Sequence, residues 1–217
     1  LRPEHHTGPK VLIIGDSYST YRDYIPTGNG FILPDSSVSS LPTYGPYYPQ
    51  DPVQRNDVTN VVQTWWYKFI TRINGYLVRN DSWSGSPLST FGLVRGGGKS
   101  WVDYEISYSF CRRVENLSTA EADTPDLIVV FGGTNDNWGR QQQEEHSTKH
   151  IGPMVLDRKA RGDSIYFQRS TDVYGAVRTC SSGVTYFDCP DLMPAVAQML
   201  WVLRSKYPQA KFLFIAN

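Results

Sequence analysis

Three apolar segments that end in small and polar residues constrain the fold of this chain more than any other feature. The first, residues 10–14, runs directly into Gly-Asp-Ser at 15–17, and the others begin near residues 76 and 126. A short apolar run bounded by a turn signal is typical of a strand buried on both faces of a parallel sheet. The pattern predicts an α/β fold in which ligands lie at the carboxyl ends of the strands.

The segments between these strands predict helices. Apolar residues recur at helical spacing over residues 60–74 and again over 191–207, and Gly75 supplies the stop of the first helix. Residues 211–217 form a fourth apolar strand. This alternation of strands and helices predicts a three-layer, doubly wound parallel sheet with right-handed connections.

A single domain over residues 1–217 is expected from the length, which is sufficient to bury a sizeable core. Residues 137–190 are polar and are interpreted as an irregular insertion. Within it, 165–167 and 184–187 predict short strands of a hairpin. Residues 104–114 predict a further helix.

The long stretch at residues 18–59 is rich in Tyr, Pro, Gly and Ser and predicts an irregular connection over the carboxyl end of the sheet. Connections of this length are uncommon unless they are functional or disordered. Tyr44, Tyr47 and Tyr48 either form a wall of a substrate site or pack within the connection itself. The Trp pair at 65–66 is expected in the core.

Composition and charge exclude several classes of partner. The formal net charge is zero, which argues against a nucleic-acid surface or a polybasic membrane patch. No apolar run approaches the roughly 20 residues that a membrane span needs.

Cys180 and Cys189 either pair across a turn or remain buried thiols. His146 and His150 would share a helix face without an evident third ligand. We therefore expect no metal and no other cofactor.

The turns that follow the strands carry three recognisable motifs. These are Gly-Asp-Ser at 15–17, a glycine after the second strand at Gly85, and Gly-Thr-Asn-Asp at 133–136. In this order and spacing they resemble the SGNH (GDSL-like) hydrolase family, and the resemblance extends from Lys10 to Asn217. It implies the flavodoxin-like SGNH hydrolase fold and a small-molecule or glycan ester as substrate.

The resemblance also implies a role for each motif residue. Ser17 would be the nucleophile, and its backbone N–H would form an oxyanion hole with the backbone N–H of Gly85 and the side-chain amide of Asn135. The chemistry agrees, because glycine allows close approach of the backbone and asparagine offers a neutral NH₂ donor. Asp16 and Asp136 are expected to shape turns and caps.

The chain departs from the family in one respect. Family members carry an Asp-x-x-His block near the C-terminus, and no Asp of this chain is followed three places later by His. Its four histidines are His5, His6, His146 and His150, none at the expected position. We infer that the C-terminal piece with the base, the last strand and the last helix is missing from this chain, either truncated, cleaved or on a separate polypeptide. We expect the same gene product to supply it as a partner.

Two classes of function fit these observations. The first is a serine esterase that removes acyl groups, acetyl among them, from a carbohydrate or another small ester. The alternative is a non-catalytic glycan-binding module on the same fold, because the base is not evident. Tyr18, Trp83 and Trp138 near the expected mouth favour a sugar or an apolar acyl group without choosing between them. We expect a secreted or periplasmic location, with a cytoplasmic one as the alternative.

A test of the missing base follows. We expect residues 1–217 alone to hydrolyse aryl acetate esters weakly or not at all, because a serine without its base loses most of its rate. A chain extended beyond Asn217 should be active, and Ser17→Ala should abolish that activity in a steady-state assay. Full activity of residues 1–217 would instead place the base elsewhere, with His146 and His150 as the first positions to mutate.

Overall fold

The computed structural model describes residues 7–26, 48, 57–89, 109–136, 156–157, 166–167, 177–179, 185–187 and 192–216. The backbone groups into two compact units. The first unit comprises Leu1–Ser86, Ser118–Gly132 and Gln209–Asn217, and the second comprises Pro87–Leu117 and Gly133–Pro208. The expectation of one domain stays a prediction.

The first unit is built on a parallel sheet of four strands. They are β1 (Lys10–Gly15), β2 (Tyr76–Asn80), β3 (Leu127–Gly132) and β8 (Lys211–Ala216), in the spatial order β2-β1-β3-β8. All three pairings are parallel. The first strand in sequence therefore lies inside the sheet, between the second and the third. This order is that of a doubly wound α/β sheet, and the predicted fold class is confirmed.

Burial on both faces explains why β1 and β3 are continuous apolar runs. Val11, Ile13 and Val129 are fully buried on one face, and they pack with Trp66 and Ile70 of the first helix. Residues on the opposite face, such as Leu12 and Ile128, are also at most 2% exposed. A central parallel strand cannot alternate apolar and polar residues when neither face meets water.

Helix α1 (Trp65–Arg72) covers one face of this sheet. It begins later than predicted, because residues 61–63 form a short 3₁₀ turn capped by Asn60, and Thr64 then caps α1 by accepting from Tyr67 N. The end of α1 also differs in detail. Asn74 rather than Gly75 adopts the left-handed conformation, at φ 52°. Gly75 is required for another reason, since a Cβ there would lie 2.7 Å from the Pro9 carbonyl oxygen.

The second unit contains helices α2 (Phe110–Arg113) and α3 (Leu192–Lys206), which contact each other. Phe110, Cys111, Met199 and Leu203 are at most 1% exposed and form part of its core. Lys206 Nζ donates to the carbonyl oxygen of Leu117 at 2.9 Å and ties the end of α3 to this unit. The predicted helix over 191–207 is present.

Four short strands lie in the segment predicted as an insertion. They pair as β4 (Leu156–Asp157) with β5 (Tyr166–Phe167) and β6 (Val177–Thr179) with β7 (Thr185–Phe187), both antiparallel. The two segments predicted as one hairpin therefore belong to two different pairs. Each finds a partner in a short segment whose pattern was too brief to predict.

Several sequence predictions fall outside the described residues. They concern Tyr44, Tyr47, Trp138, residues 104–108, and the cysteines at 180 and 189. All four histidines also lie outside them. Within the described part of the chain, no helix is long and apolar enough to cross a membrane, and no cluster of three His, Cys, Asp or Glu side chains could hold a metal ion.

The packing of α1 can be tested with a matched pair of substitutions. Ile70 is fully buried against the sheet, whereas Val62 in the preceding turn is 46% exposed. Ile70→Ala should lower the free energy of unfolding by about 2–5 kcal/mol, because it leaves a cavity in the core. Val62→Ala should stay within about 0.5 kcal/mol of the parent in the same denaturant titration. Equal losses from the two would contradict the packing described.

Candidate active site

Ser17 lies in a tight turn at the carboxyl end of β1. Residues Ser17–Ser19 form a single 3₁₀ turn, and the side chain of Asp16 caps it by accepting from Tyr18 N at 3.1 Å. Thr20 closes the turn, since its N–H and hydroxyl both donate to the Ser17 carbonyl oxygen. Ser17 itself is half-buried. The carboxylate of Asp16 is thus used to shape the turn, as the sequence predicted.

Gly15 is required because no side chain fits at its position. A Cβ there would overlap the side chain of Ser19 and lie 2.8 Å from Ser82 Oγ. The absence of a Cβ lets the chain fold back immediately after the strand. The physical requirement is therefore a close approach of two turns, which is more specific than a general need for a flexible glycine.

The loop that carries Gly85 begins alongside this turn. Asp81 N donates to the Ile13 carbonyl oxygen at 2.7 Å, and Trp83 N donates to that of Gly15 at 3.0 Å. These bonds continue the parallel ladder past the end of β2. Gly85 then adopts a φ of 76°, a left-handed conformation that glycine takes without steric cost. The backbone hydrogen bond from Trp83 N to the Gly15 carbonyl oxygen thus joins the loop of Gly85 to the turn of Ser17.

Buried polar side chains hold the same two loops together. Asn80 Nδ2 donates to the Ser19 carbonyl oxygen at 2.8 Å, and Ser82 Oγ donates to Asn80 Oδ1 at 2.5 Å. All three residues are at most 1% exposed. Hydrogen bonds in such a dry environment are costly to break, because each lost partner leaves a buried polar group unsatisfied.

Sequence reasoning did not assign a role to Asn80, Ser82 or Ser19. Only the position of Asn80, as a polar residue at the very end of a predicted buried strand, could have indicated one. Ser19 and Ser82 have no comparable signal, because serines in turns are common.

A cavity of about 560 Å³ opens in the first unit beside the Ser17 turn. The described residues of its wall are mostly aromatic and aliphatic, namely Tyr18, Tyr48, Val58, Trp65, Phe131 and Ile215, and they are accompanied by Gln63 and Thr64. The two tryptophans that were predicted to lie in the core therefore have different environments. Trp66 is fully buried in the core, whereas Trp65 is half-buried and faces the cavity. Trp83, expected near the mouth, is buried at 9% exposure.

Asn135 belongs to the second unit and follows the end of β3 by three residues. It is half-buried, in a helical turn that begins after Gly133, whose φ is 117°. Its neighbour Asp136 is 2% exposed and accepts three hydrogen bonds, from Leu88 N, Ser89 N and Ser89 Oγ, at 2.6–2.9 Å. Asp136 therefore anchors residues 88–89, which is a long-range contact and differs from the turn or cap role expected from the sequence.

The structure thus brings the turns of Ser17 and Gly85 together in one unit. The assignment of the Ser17, Gly85 and Asn135 donors to one oxyanion hole stays a prediction. Within the described part of the chain no hydrogen bond is made to the Ser17 hydroxyl.

Comparison with known proteins gives a consistent assignment. The family model described as GDSL-like lipase/acylhydrolase matches residues 9–156. A crystal structure from Bacteroides uniformis, assigned as a GDSL-like lipase, is 29% identical with a TM-score of 0.56, covering 97% of this chain and 72% of that one. Another of the same assignment, from Bacteroides ovatus, is 25% identical with a TM-score of 0.55, covering 96% and 72%. No curated protein matches the chain.

The close approach at Gly15 predicts a specific loss of stability. Gly15→Ala forces its new methyl group against Ser19 and Ser82, which should lower the free energy of unfolding by about 1–3 kcal/mol, as overpacking does. Ser17→Ala, two residues away at a half-buried position, should change it by no more than about 0.5 kcal/mol. Urea titrations of both variants measure this, and an unperturbed Gly15→Ala would show that the two turns do not meet as described.

Proposed function

The chain belongs to the GDSL-like lipase/acylhydrolase family, and we propose that it hydrolyses esters through Ser17. The observation that carries the proposal is the tight turn at the carboxyl end of β1, which presents Ser17 beside the Gly85 loop. Ligands of open α/β sheets bind at this end. Family membership supplies the reaction class, and the site supplies the residues.

The reaction begins with attack of Ser17 Oγ on the carbonyl carbon of the ester. A carbon–oxygen bond forms, the hydroxyl proton passes to a general base, and the carbonyl oxygen becomes an oxyanion. Collapse of this intermediate expels the alcohol, which takes up the proton. Water then attacks the acyl-serine and releases the acid and the free serine. The base is a histidine by family resemblance.

The oxyanion is stabilised by three donors in this proposal. They are the backbone N–H groups of Ser17 and Gly85 and the side-chain amide of Asn135. The hydrogen bonds that join the first two loops support the pairing of Ser17 and Gly85, since they hold the backbone in place before the substrate arrives. Preorganised donors act on the charge that develops in the transition state, and loss of one typically costs about 2.7–4 kcal/mol.

The substrate of the proposal is an ester of a carbohydrate or another small alcohol, with acetyl as the smallest acyl group. The aromatic side chains beside Ser17 support it, because aromatic rings contact sugars and apolar acyl groups alike.

A covalent probe tests the assignment of the nucleophile. A fluorophosphonate should label the full-length protein at Ser17, because the probe reacts with a serine whose hydroxyl is activated by a base. Peptide mass spectrometry locates the label, which should disappear in Ser17→Ala and persist in Ser205→Ala, a control at an exposed serine of α3.

Asn135→Ala completes the test of the oxyanion hole. It should lower kcat by about 10²–10³ with little change in KM, since its amide would act on the transition state. A protein that binds glycans tightly but neither labels at Ser17 nor hydrolyses esters would instead be a binding module.

A further inference from the structure

We infer that the cavity beside Ser17 binds an apolar group of the ester substrate rather than a sugar ring. This inference rests on the proposed function, because it names the part of the substrate that accompanies hydrolysis at Ser17. The group is a hydrocarbon chain or an aromatic ring larger than a methyl, on either the acyl or the alcohol side of the ester.

The first observation is the rigidity of the aromatic wall. The rings of Trp65 and Phe131 meet edge to face at 5.3 Å, and the ring of Tyr18 lies 6.4 Å from that of Phe131. Trp65 is further fixed by a hydrogen bond from its Nε1 to Ser19 Oγ at 3.1 Å. A cavity whose wall is already ordered binds an apolar group without the entropic cost of arranging the side chains.

The second observation concerns three polar groups of the wall, namely the carbonyl oxygen of Gln63, the hydroxyl of Thr64 and the indole N–H of Trp65, which are engaged with the protein. Gln63 Oε1 accepts from the backbone N–H groups of Thr59 and Asn60, both at 2.8 Å. Thr64 Oγ1 donates to the Val61 carbonyl oxygen at 2.7 Å and caps α1.

The indole N–H of Trp65 is likewise occupied by Ser19. A sugar would need such groups for its hydroxyls, since each buried hydroxyl without a partner costs free energy. An apolar group needs none. The engagement of the Gln63 carbonyl oxygen, the Thr64 hydroxyl and the Trp65 indole N–H therefore favours hydrocarbon over carbohydrate.

The third observation connects the cavity to the nucleophile. Tyr18, which lines the cavity, follows Ser17 within the same 3₁₀ turn. Ser19 of that turn accepts the hydrogen bond from Trp65 on the opposite element. The wall of the cavity and the turn that carries Ser17 are therefore one connected structure, and the cavity lies next to that turn.

The volume of the cavity indicates the size of the group. Pockets that bury small organic ligands have volumes of about 300–1,000 Å³, and the cavity here, at about 560 Å³, lies within that range. An acetyl group contributes one methyl and would leave most of this space to water. Each further buried methylene should tighten binding by roughly fourfold.

Binding of uncharged amides that cannot be cleaved as esters tests the inference without requiring catalysis. N-methylhexanamide should bind to the chain at least about tenfold more tightly than N-methylacetamide, whereas methyl β-glucoside should show no binding by calorimetry. In ¹H–¹⁵N spectra, N-methylhexanamide should shift the Trp65 indole resonance, which is identified by its loss in Trp65→Phe.

A matched pair on β8 supplies the control. Ile215 lines the cavity, whereas Leu213, two residues earlier on the same face of the strand, is not part of its wall. Val58→Trp, which fills the cavity, and Ile215→Ala should both weaken binding of N-methylhexanamide at least threefold. Leu213→Ala should leave it unchanged. Urea titrations confirm that each variant remains folded.

Activity assays on the full-length protein distinguish the source of the apolar group. Methyl hexanoate preferred over methyl acetate assigns it to the acyl side, and hexyl acetate preferred over methyl acetate assigns it to the alcohol side. Binding of the amide without any ester hydrolysis would overturn the proposed function and leave the cavity assignment standing. Hydrolysis with no amide binding, or with methyl β-glucoside shifting the Trp65 resonance instead, would overturn the cavity assignment alone.

Discussion

The close approach of two backbone turns at Gly15 is the constraint on which the site depends. The Gly15 carbonyl oxygen accepts from Trp83 N, and the position has no room for a Cβ between Ser19 and Ser82. Because the turns touch, the parallel ladder of β1 and β2 continues beyond the strands and carries the loop of Gly85 to the loop of Ser17. A larger residue would separate the two loops and with them the backbone N–H groups that we propose as oxyanion donors.

The buried side chains of the sheet stabilise the strands from which the two turns begin. Apolar side chains on both faces of β1 and β3 exclude water, so the strand ends are held by many buried contacts rather than by the turn itself. Asn80 then places its amide in the dry space at the strand end and bridges Ser19 and Ser82. A rigid sheet carrying short, hydrogen-bonded loops is a suitable scaffold for catalysis, because its donors need little rearrangement when the substrate binds.

The aromatic cavity shares its structural elements with the nucleophile turn. Trp65 belongs to α1 and Phe131 to β3, and the turn at Ser19 binds the indole of Trp65. One hydrogen bond therefore connects the wall of the cavity that we propose as the substrate site with the turn that carries the proposed nucleophile. Ester hydrolysis is the chemistry of the family, and the cavity is what distinguishes the preference that we propose for this chain.

The sequence by itself determined the parallel α/β sheet, the strand-end turns and the residues in them, because continuous apolar runs and short motifs are local patterns. It predicted that Asp16 shapes its turn, which the hydrogen bond from Tyr18 N confirms, whereas Asp136 makes long-range contacts to residues 88–89 that the sequence did not indicate. Only the tertiary structure decided which tryptophan of the 65–66 pair is core and which faces a cavity. The tertiary structure alone also showed that position 15 requires glycine, because a side chain there would have no room. The contact of Trp65 with Ser19 joins residues 46 positions apart, and the space at Gly15 is limited by the distant Ser82 as well as by the nearby Ser19; no local pattern records which distant side chain fills a given space.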